Sequence, residues 1–295
     1  MHVHLVDGTY ELFRHFYAVP KLADASGRER GAVVGVVQTL IGMLEGGATH
    51  VGVATDHVIE SFRNDLYAGY KTGEGIDPLL WEQFEPLEAA VASLGVVIWP
   101  MVEVEADDAL AAAARVASAD SRVEQVVICT PDKDLGQCVS GDRVVQLDRR
   151  TGKVWNAAGV MERFGVPPES IPDYLALVGD SADGFPGLAG WGAKSASAVL
   201  ARFRRLEDIP PSAADWGVPV RGADKLARVL REEREAALLF RTLATLRTDQ
   251  PAVTVDGLAY RGPSAGFETL AASWRRPKLF ARAQAVSEAR MRKQT

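Results

Sequence analysis

The stretch VHLVDGTYELFRHF (residues 3–16) introduces the pattern that decides the fold class. A predicted hydrophobic strand ends at Asp7, and a Gly-Thr turn follows it. Similar short runs rich in β-branched residues recur along the chain, and helical patterns separate the first four of them. The predicted strands are VHLVD (3–7), HVGVATD (50–56), VVIWP (96–100), QVVICTPD (125–132) and RVVQLD (143–148), with helices over 31–47, 78–95 and 107–118. Strands that alternate with helices imply a mostly parallel sheet flanked by helices. The predicted fold is therefore α/β.

Composition is that of a globular protein. The 295 residues are 47% hydrophobic and 24% charged, which is ordinary for a chain that buries a core. Asp7 interrupts the first apolar run and no basic residues precede it, so we expect no signal peptide. No run of about 18 apolar residues predicts a membrane span. Cys129 and Cys138 are expected to be reduced core residues. These features together predict a cytoplasmic protein.

Charge is distributed unevenly along the chain. The net charge of −6 argues against a nucleic-acid partner, but residues 1–200 carry 15 Lys/Arg against 28 Asp/Glu. Residues 201–295 carry 18 Lys/Arg against 11 Asp/Glu. This asymmetry indicates an acidic centre in one part and a polyanion-facing surface in the other. Solvated helix faces of arbitrary sign would explain the charges equally well.

The sequence changes character after about residue 165. Prolines punctuate a helix (DYLALVGD), and the Gly-rich GLAGWGAKSASAVLARF, the Pro-rich IPPSAADWGVP and a charged helix over about 223–241 follow. This part is predicted to be a second, all-helical unit over 166–250. Residues 251–295 are expected to form a weakly patterned extension that is basic at its end.

Acidic residues stand at the predicted strand tips and helix starts. In open α/β sheets the functional crevice lies beyond the carboxyl ends of the strands. Each such carboxylate taken alone is as readily a turn former or a helix N-cap. Nine are candidate site residues: Asp7, Asp56, Glu105, Asp107, Asp108, Asp132, Asp134, Asp180 and Asp183.

One phosphatase chemistry is excluded by the first strand. Haloacid-dehalogenase-type phosphatases need a nucleophilic Asp two residues before Asp7, and that position is Leu5. Without a carboxylate nucleophile no aspartyl-phosphate can form. The GDSADG segment (179–184) resembles the acidic fourth motif of those enzymes only superficially.

Divalent cations explain the acidic set better. Several carboxylates that converge on one crevice repel one another unless cations bind them. Hard ions with oxygen ligands are the natural counter-charge, and the lack of accompanying His or Cys disfavours zinc. Two ions about 3.5–4 Å apart activate water and stabilise the leaving oxygen in phosphodiester hydrolysis. Two-metal phosphodiester chemistry is therefore the hypothesis that the carboxylates favour.

The order of the motifs resembles one known family. LVDG, FRNDLYAGYK, VEADD, TPDKDL and GDSADGFPGLAGWGAKSA together resemble the bacterial flap endonuclease (5′-3′ exonuclease) family, which includes the 5′-nuclease domain of bacterial DNA polymerase I. The resemblance covers roughly residues 1–250. It implies a PIN-like nuclease domain over 1–165, with a helical arch at about 63–95, and then a helix–three-turn–helix unit over 166–250. The chain ends where a polymerase would continue, so a stand-alone nuclease is expected.

The resemblance also implies metal ligands. Glu105, Asp107 and Asp132 would ligate a first ion, with Asp7, Asp56 and Asp108 binding directly or through water. Asp134, Asp180 and Asp183 would build a second site. The ions implied are Mg²⁺ or Mn²⁺, two or more, with K⁺ at the glycine-rich turn.

Substrate contacts are implied in the same way. Arg63 and Lys71 would offer positive charge to the scissile phosphate. Asp132 would be the third catalytic residue. Phe13 and Arg14 would meet the terminal nucleotide, although an aromatic after a strand is more often core. The turn containing Gly187, Gly190, Gly192 and Lys194 would clamp a backbone phosphate, and Arg202, Arg204 and Arg205 would extend a basic track for the duplex.

The expected function is that of a structure-specific 5′ nuclease. It would cut DNA near single/double-strand junctions, on 5′ flaps, nicked or gapped duplexes and RNA-containing 5′ ends, in replication or repair. The alternatives are a PIN-type ribonuclease and a non-catalytic DNA-junction binder. Three positions depart from the family pattern: Glu74 stands where the family often has an Arg, and Gly184 and Phe185 stand where it commonly has Asn and Ile.

Overall fold

The computed structural model describes residues 1–294; Thr295, the last residue of the predicted extension, lies outside them. The chain divides into two compact units. Unit 1 comprises Met1–Ile59, Gly73–Thr130 and the residues from Thr248 onward. Unit 2 comprises Glu60–Thr72 and Pro131–Arg247.

A parallel sheet forms the centre of unit 1. Its strands are β1 (His2–Asp7), β2 (His50–Asp56), β3 (Val97–Met101) and β4 (Gln125–Cys129), in the order β3-β2-β1-β4. All three pairings are parallel. Parallel strands end at the same edge of a sheet, so Asp7 and Asp56, the last residues of β1 and β2, share that edge. The predicted α/β class is confirmed.

The three helices predicted over 31–47, 78–95 and 107–118 are present in unit 1, one of them divided, and a further helix that was not predicted follows β1. They are α1 (Gly8–Ala18), α2 (Gly31–Glu45), α4 (Pro78–Trp81), α5 (Phe84–Leu94) and α6 (Ala106–Ala119). The predicted helix over 78–95 divides into α4 and α5, and Pro86 lies in the first turn of α5. Proline is tolerated there because that turn has no intrahelical acceptor for its missing N–H.

Unit 2 is mainly helical. It contains α3 (Phe62–Leu66), α7 (Ala157–Phe164), α8 (Ile171–Val178), α9 (Ala193–Phe203), α10 (Ala223–Glu232) and α11 (Arg234–Ala244). The strands β5 (Val144–Asp148) and β6 (Lys153–Trp155) pair antiparallel, and β6 was not predicted. Trp216 and Phe185 are buried in its core, and Phe185 stacks on Phe240 with ring centroids 5.7 Å apart.

The C-terminal segment, whose sequence is weakly patterned, contains two helices. Residues beyond 250 form α12 (Ala265–Ser273) and α13 (Lys278–Gln294). Phe267 and Ala283 are fully buried, so this segment contributes to the core of unit 1. No helix in residues 1–294 is long and apolar enough to cross a membrane.

Candidate functional site

Three of the predicted carboxylates converge in unit 2. Asp134, Asp180 and Asp183 each bring one carboxylate oxygen within 4.8 Å of the others. Asp134 begins a 3₁₀ helix that continues to Cys138, while Asp180 and Asp183 lie in the turn after α8. That turn is closed by two backbone hydrogen bonds between Asp180 and Phe185, at 2.8 and 3.0 Å. Among the described residues, only this group meets the geometry of a three-ligand acidic metal site.

Electrostatics of the triad favour a bound cation. Burial raises the pKa of Asp134 well above its usual value, and the charges of Asp132, Asp183 and Asp180 raise it further. The Asp134 Oδ1 atom is buried and accepts no hydrogen bond. A divalent ion with oxygen ligands would satisfy that atom and neutralise the repulsion. The donor set therefore fits the predicted divalent metal.

Two lysines neutralise part of this charge. The Lys133 Nζ atom lies 2.7 Å from Asp180 Oδ2, and the Lys71 Nζ atom lies 3.2 Å from Asp183 Oδ1. Burial opposes the charged form of Lys133, but its hydrogen bond to Asp180 and the nearby carboxylates raise its pKa. Sequence reasoning singled out Lys71 and missed Lys133. Its position between Asp132 and Asp134 in TPDKDL was the signal that could have identified it.

Asp132 is exposed beside the triad. Its Oδ1 atom accepts a hydrogen bond of 3.0 Å from the amide of Asp134, the first residue of the 3₁₀ helix. Its backbone carbonyl accepts from the Gln146 side chain. Its predicted roles as ligand and catalytic residue stay predictions.

The unit 1 carboxylates Asp7 and Asp56 have local partners at their strand tips. Asp7 accepts hydrogen bonds from the Tyr10 amide at 2.8 Å and from Thr130 Oγ1 at 2.9 Å. Asp56 Oδ1 accepts from the Ala106 amide at 2.8 Å, which joins the tip of β2 to the start of α6.

The remaining unit 1 carboxylates cluster at that same helix start. Glu105 and Asp108 are buried, Asp107 is half-buried, and Asp108 Oδ2 accepts from the Glu105 amide at 2.9 Å. The tip of β2 and the first turn of α6 thus carry four predicted ligands, but among the described residues no three of these meet the geometry of an acidic metal site. Capping and metal binding are compatible, because each carboxylate has further lone pairs.

Arg63 is placed differently from its expected role. Its side chain is 1% exposed and donates to the carbonyls of Leu243 at 2.7 Å and Thr245 at 3.1 Å. In this conformation the guanidinium therefore stabilises the C-terminal end of α11, where a cation is favourable. Its catalytic role stays a prediction.

The residues predicted to meet the terminal nucleotide are half-buried in unit 1. Phe13 packs edge-on against Phe84, with ring centroids 6.2 Å apart. Arg14 forms an ion pair with the fully buried Glu11 and contacts His15 at 3.0 Å. Both side chains are therefore held in place by neighbours of their own unit.

The glycine-rich turn leads into α9 with the expected backbone. Gly187 and Gly190 have φ angles of 69° and 85°, and Gly192 precedes the first residue of α9. A side chain at Gly187 would clash with the Gly179 amide at 2.3 Å. Lys194 is exposed, and it shares a cavity of about 530 Å³ with Arg221, which the sequence reasoning did not single out. Backbone amides at a helix start beside cations suit a phosphate.

Comparisons with known proteins agree with this arrangement. Residues 2–165 match the family model of the 5′-3′ exonuclease N-terminal resolvase-like domain, and residues 166–265 match that of the 5′-3′ exonuclease C-terminal SAM fold. DNA polymerase I of Pseudomonas aeruginosa is 38% identical over 255 residues, 83% of this chain and 27% of the polymerase. A 5′-3′ exonuclease of Aquifex aeolicus is 32% identical over 70% of this chain and 71% of its own.

A solved structure matches nearly the whole fold. The flap endonuclease of bacteriophage T5, in a pseudo-enzyme-product complex with DNA and metal ions, has a TM-score of 0.64 at 19% identity and covers 98% of this chain and 100% of its own. The fold is thus that of the T5 flap endonuclease. The chain belongs to the 5′-3′ exonuclease family, which confirms the resemblance drawn from its motifs. It spans 25–30% of the length of the DNA polymerase I relatives that it matches.

Proposed function

We propose that the chain is a structure-specific 5′ nuclease that hydrolyses DNA phosphodiesters near single/double-strand junctions, in replication or repair. The observation that carries this proposal is the buried triad of Asp134, Asp180 and Asp183, with the lysines at its edge. The family of the chain and the DNA and metal ions in the T5 complex support it. The proposed setting is the bacterial cytoplasm, because the polymerase relatives are bacterial.

The chain's own residues would divide the work. The triad would hold one divalent ion, Mg²⁺ or Mn²⁺, and Asp7, Asp56, Glu105, Asp107, Asp108 and Asp132 are the proposed ligands of others. Bound divalent ions would supply activation of the attacking water and stabilisation of the leaving oxygen. Lys71 would present positive charge to the scissile phosphate, where charge increases in the transition state.

Substrate positioning would come from the rest of unit 2. The amides of the turn at Gly190 and Gly192 would bind a backbone phosphate, with Lys194 beside them. Carbonyls of the same turn are the proposed site for K⁺. The exposed Arg202, Arg204 and Arg205 would add affinity for duplex without sequence preference.

A cleavage assay tests the proposal. Wild type, Asp180→Asn and the exposed control Asp215→Asn would be incubated with a labelled 5′-flap duplex or single-stranded RNA, in Mg²⁺, Mn²⁺ or EDTA. Metal-dependent cutting at the flap junction, lost in Asp180→Asn and kept in Asp215→Asn, is the expected result. Preferential cutting of the RNA would favour the PIN-type ribonuclease. Binding without cutting would favour the junction binder.

A further inference from the structure

Unit 1 contains a cavity that none of the acidic triad residues lines. It has a volume of about 560 Å³, and its walls include Arg28, Arg30, His57, Trp81 and Glu85. None of the nine predicted metal ligands lines it. Its size falls within the range of about 300–1,000 Å³ that is typical of small-molecule sites.

Trp81 supplies an exposed aromatic surface at this cavity. Its side chain is 45% exposed, although it belongs to a short helix that packs on the core. The Trp81 ring centroid lies 5.7 Å from that of Phe84, which is 6% exposed, and Phe84 in turn contacts Phe13. Phe84 therefore packs against Trp81 on the side of the core, and the Trp81 ring is accessible from the cavity. Such a ring is suited to stacking on a nucleobase.

The wall that carries Trp81 is fixed by polar contacts. Gln83, which is fully buried, donates to the Leu79 carbonyl at 3.1 Å and accepts from the Val33 amide at 3.3 Å. The Arg30 guanidinium donates to the Glu82 carbonyl at 3.4 Å. These bonds tie α4 to the start of α2. Trp81 is thus held in place before any ligand binds, which reduces the ordering cost of binding.

Polar groups around the ring match a nucleotide. Arg28 is exposed at the rim and can meet a phosphate, while His57 is oriented by a 2.8 Å contact between its Nδ1 atom and Glu88 Oε2. Glu82 and Glu85 also line the cavity. Their carboxylates make it a poor general anion site, but they can accept a hydrogen bond from an N–H donor of a base, such as the amino group of cytosine or adenine or the imide of thymine. One base with one phosphate fits this charge pattern better than a run of phosphates.

We propose that this cavity binds one unpaired nucleotide of the 5′ flap, with its base stacked on Trp81 and its phosphate at Arg28. The inference rests on the proposed function and adds to it a contact that distinguishes a flapped substrate from a nick. The same chemistry could come from a free nucleoside monophosphate, so the test includes one.

Binding measured without cleavage tests this proposal. Affinities of wild type, Trp81→Ala, Arg28→Ala and the control Tyr17→Ala would be measured in EDTA, for a nicked duplex with and without a five-thymidine 5′ flap. Tyr17 is an aromatic of the same unit, 73% exposed and outside the cavity lining. Thymidine monophosphate would be added as a competitor, and circular dichroism would verify that each variant is folded.

The expected result is selective. Trp81→Ala should weaken binding of the flapped duplex roughly tenfold, about 1.4 kcal/mol, and leave the nicked duplex unchanged. Arg28→Ala should also weaken binding of the flapped duplex, and Tyr17→Ala should bind both duplexes with the affinity of wild type. Equal losses on both duplexes, or none, would overturn the assignment. The assignment would also be overturned if thymidine monophosphate competes for binding while the protein binds the flapped and the nicked duplex equally well. A wild type that binds neither duplex would instead overturn the proposed function itself.

Discussion

Asp134 is a buried carboxylate of the proposed metal site, and its pKa shift predicts how the site affects stability. The raised pKa means that the folded protein holds the Asp134 proton more tightly than the unfolded chain does. Its contribution to stability is therefore fully present below the usual carboxyl pKa of 3.8 and is lost as the pH rises through the raised folded-state value. Above that raised value, and without metal, the ionised group destabilises the fold.

Asp134→Asn should consequently stabilise the metal-free protein. The amide removes one charge from the triad, and each 1 kcal/mol gained would raise Tm by roughly 2–4 °C. Scanning calorimetry in EDTA and in Mn²⁺ measures the change. The variant should melt above wild type in EDTA and gain less from Mn²⁺. A lower Tm in EDTA would show that the carboxylate stabilises the fold without metal.

Lys133→Met should have the opposite effect. Asp180 is 3% exposed, so removal of its 2.7 Å partner leaves a buried charge uncompensated. Lys133 is 32% exposed, so we expect a loss of about 1–3 kcal/mol, less than for a fully buried pair. Mn²⁺ should restore much of it, because the ion replaces the missing charge. The exposed control Lys225→Met should change neither Tm nor the response to Mn²⁺; an equal loss there would contradict the argument.

The sequence analysis singled out the three triad residues and Lys71 but missed Lys133, and the reason is physical. Carboxylates at strand tips and turn starts can be grouped from order and spacing alone. The partner of each charge depends on side-chain packing, which spacing does not encode. Arg63 shows the same limit, since its burial under α11 depends on residues about 180 positions away in the chain.

At the scale of elements, regular amphipathic segments were predicted and weakly patterned ones were not. α5 and α6 carry clear apolar faces. β6 has only three residues, and α13 is rich in Ala and Arg, so neither shows a strong period. α13 is instead held to the end of α2 by arginines. Arg282 pairs with Glu45 at 2.6 Å, and Arg290 donates to the carbonyls of Leu44 and Ala48.

Arg290→Ala should therefore destabilise unit 1. The guanidinium satisfies two carbonyls near the C-terminal end of α2 and lies 5.0 Å from the Tyr260 ring centroid. Burial raises the pKa of Tyr260 to about 12, so this phenol is neutral and its ring remains an attractive partner for the cation. A loss of about 1–3 kcal/mol is expected in urea unfolding. Arg292→Ala, on an exposed position of the same helix, is the matched control. Equal midpoints for the two variants would refute the role of Arg290.

At the scale of the whole molecule, the positive and negative charges are distributed unevenly along the chain. A chain of net charge −6 would repel DNA if its charges were evenly spread, but its last 95 residues carry 18 Lys/Arg against 11 Asp/Glu. The acidic residues of the triad would be neutralised by bound cations, which leaves the exposed arginines to set the affinity for duplex. Binding should therefore be strongly salt-dependent despite the acidic composition.

The Arg202→Ala/Arg205→Ala double variant tests this view. Removing one phosphate-binding arginine should reduce the slope of log K against log salt by about 0.9, so the double variant should have a slope smaller by roughly 2. Fluorescence anisotropy with a nicked duplex at several salt concentrations measures the slope. Arg275→Ala/Arg276→Ala removes the same charge from exposed positions of unit 1 and separates a local effect from net charge. If both double variants lower the slope equally, net charge rather than the basic track governs binding. An unchanged slope in the first variant would remove Arg202 and Arg205 from the proposed duplex interface.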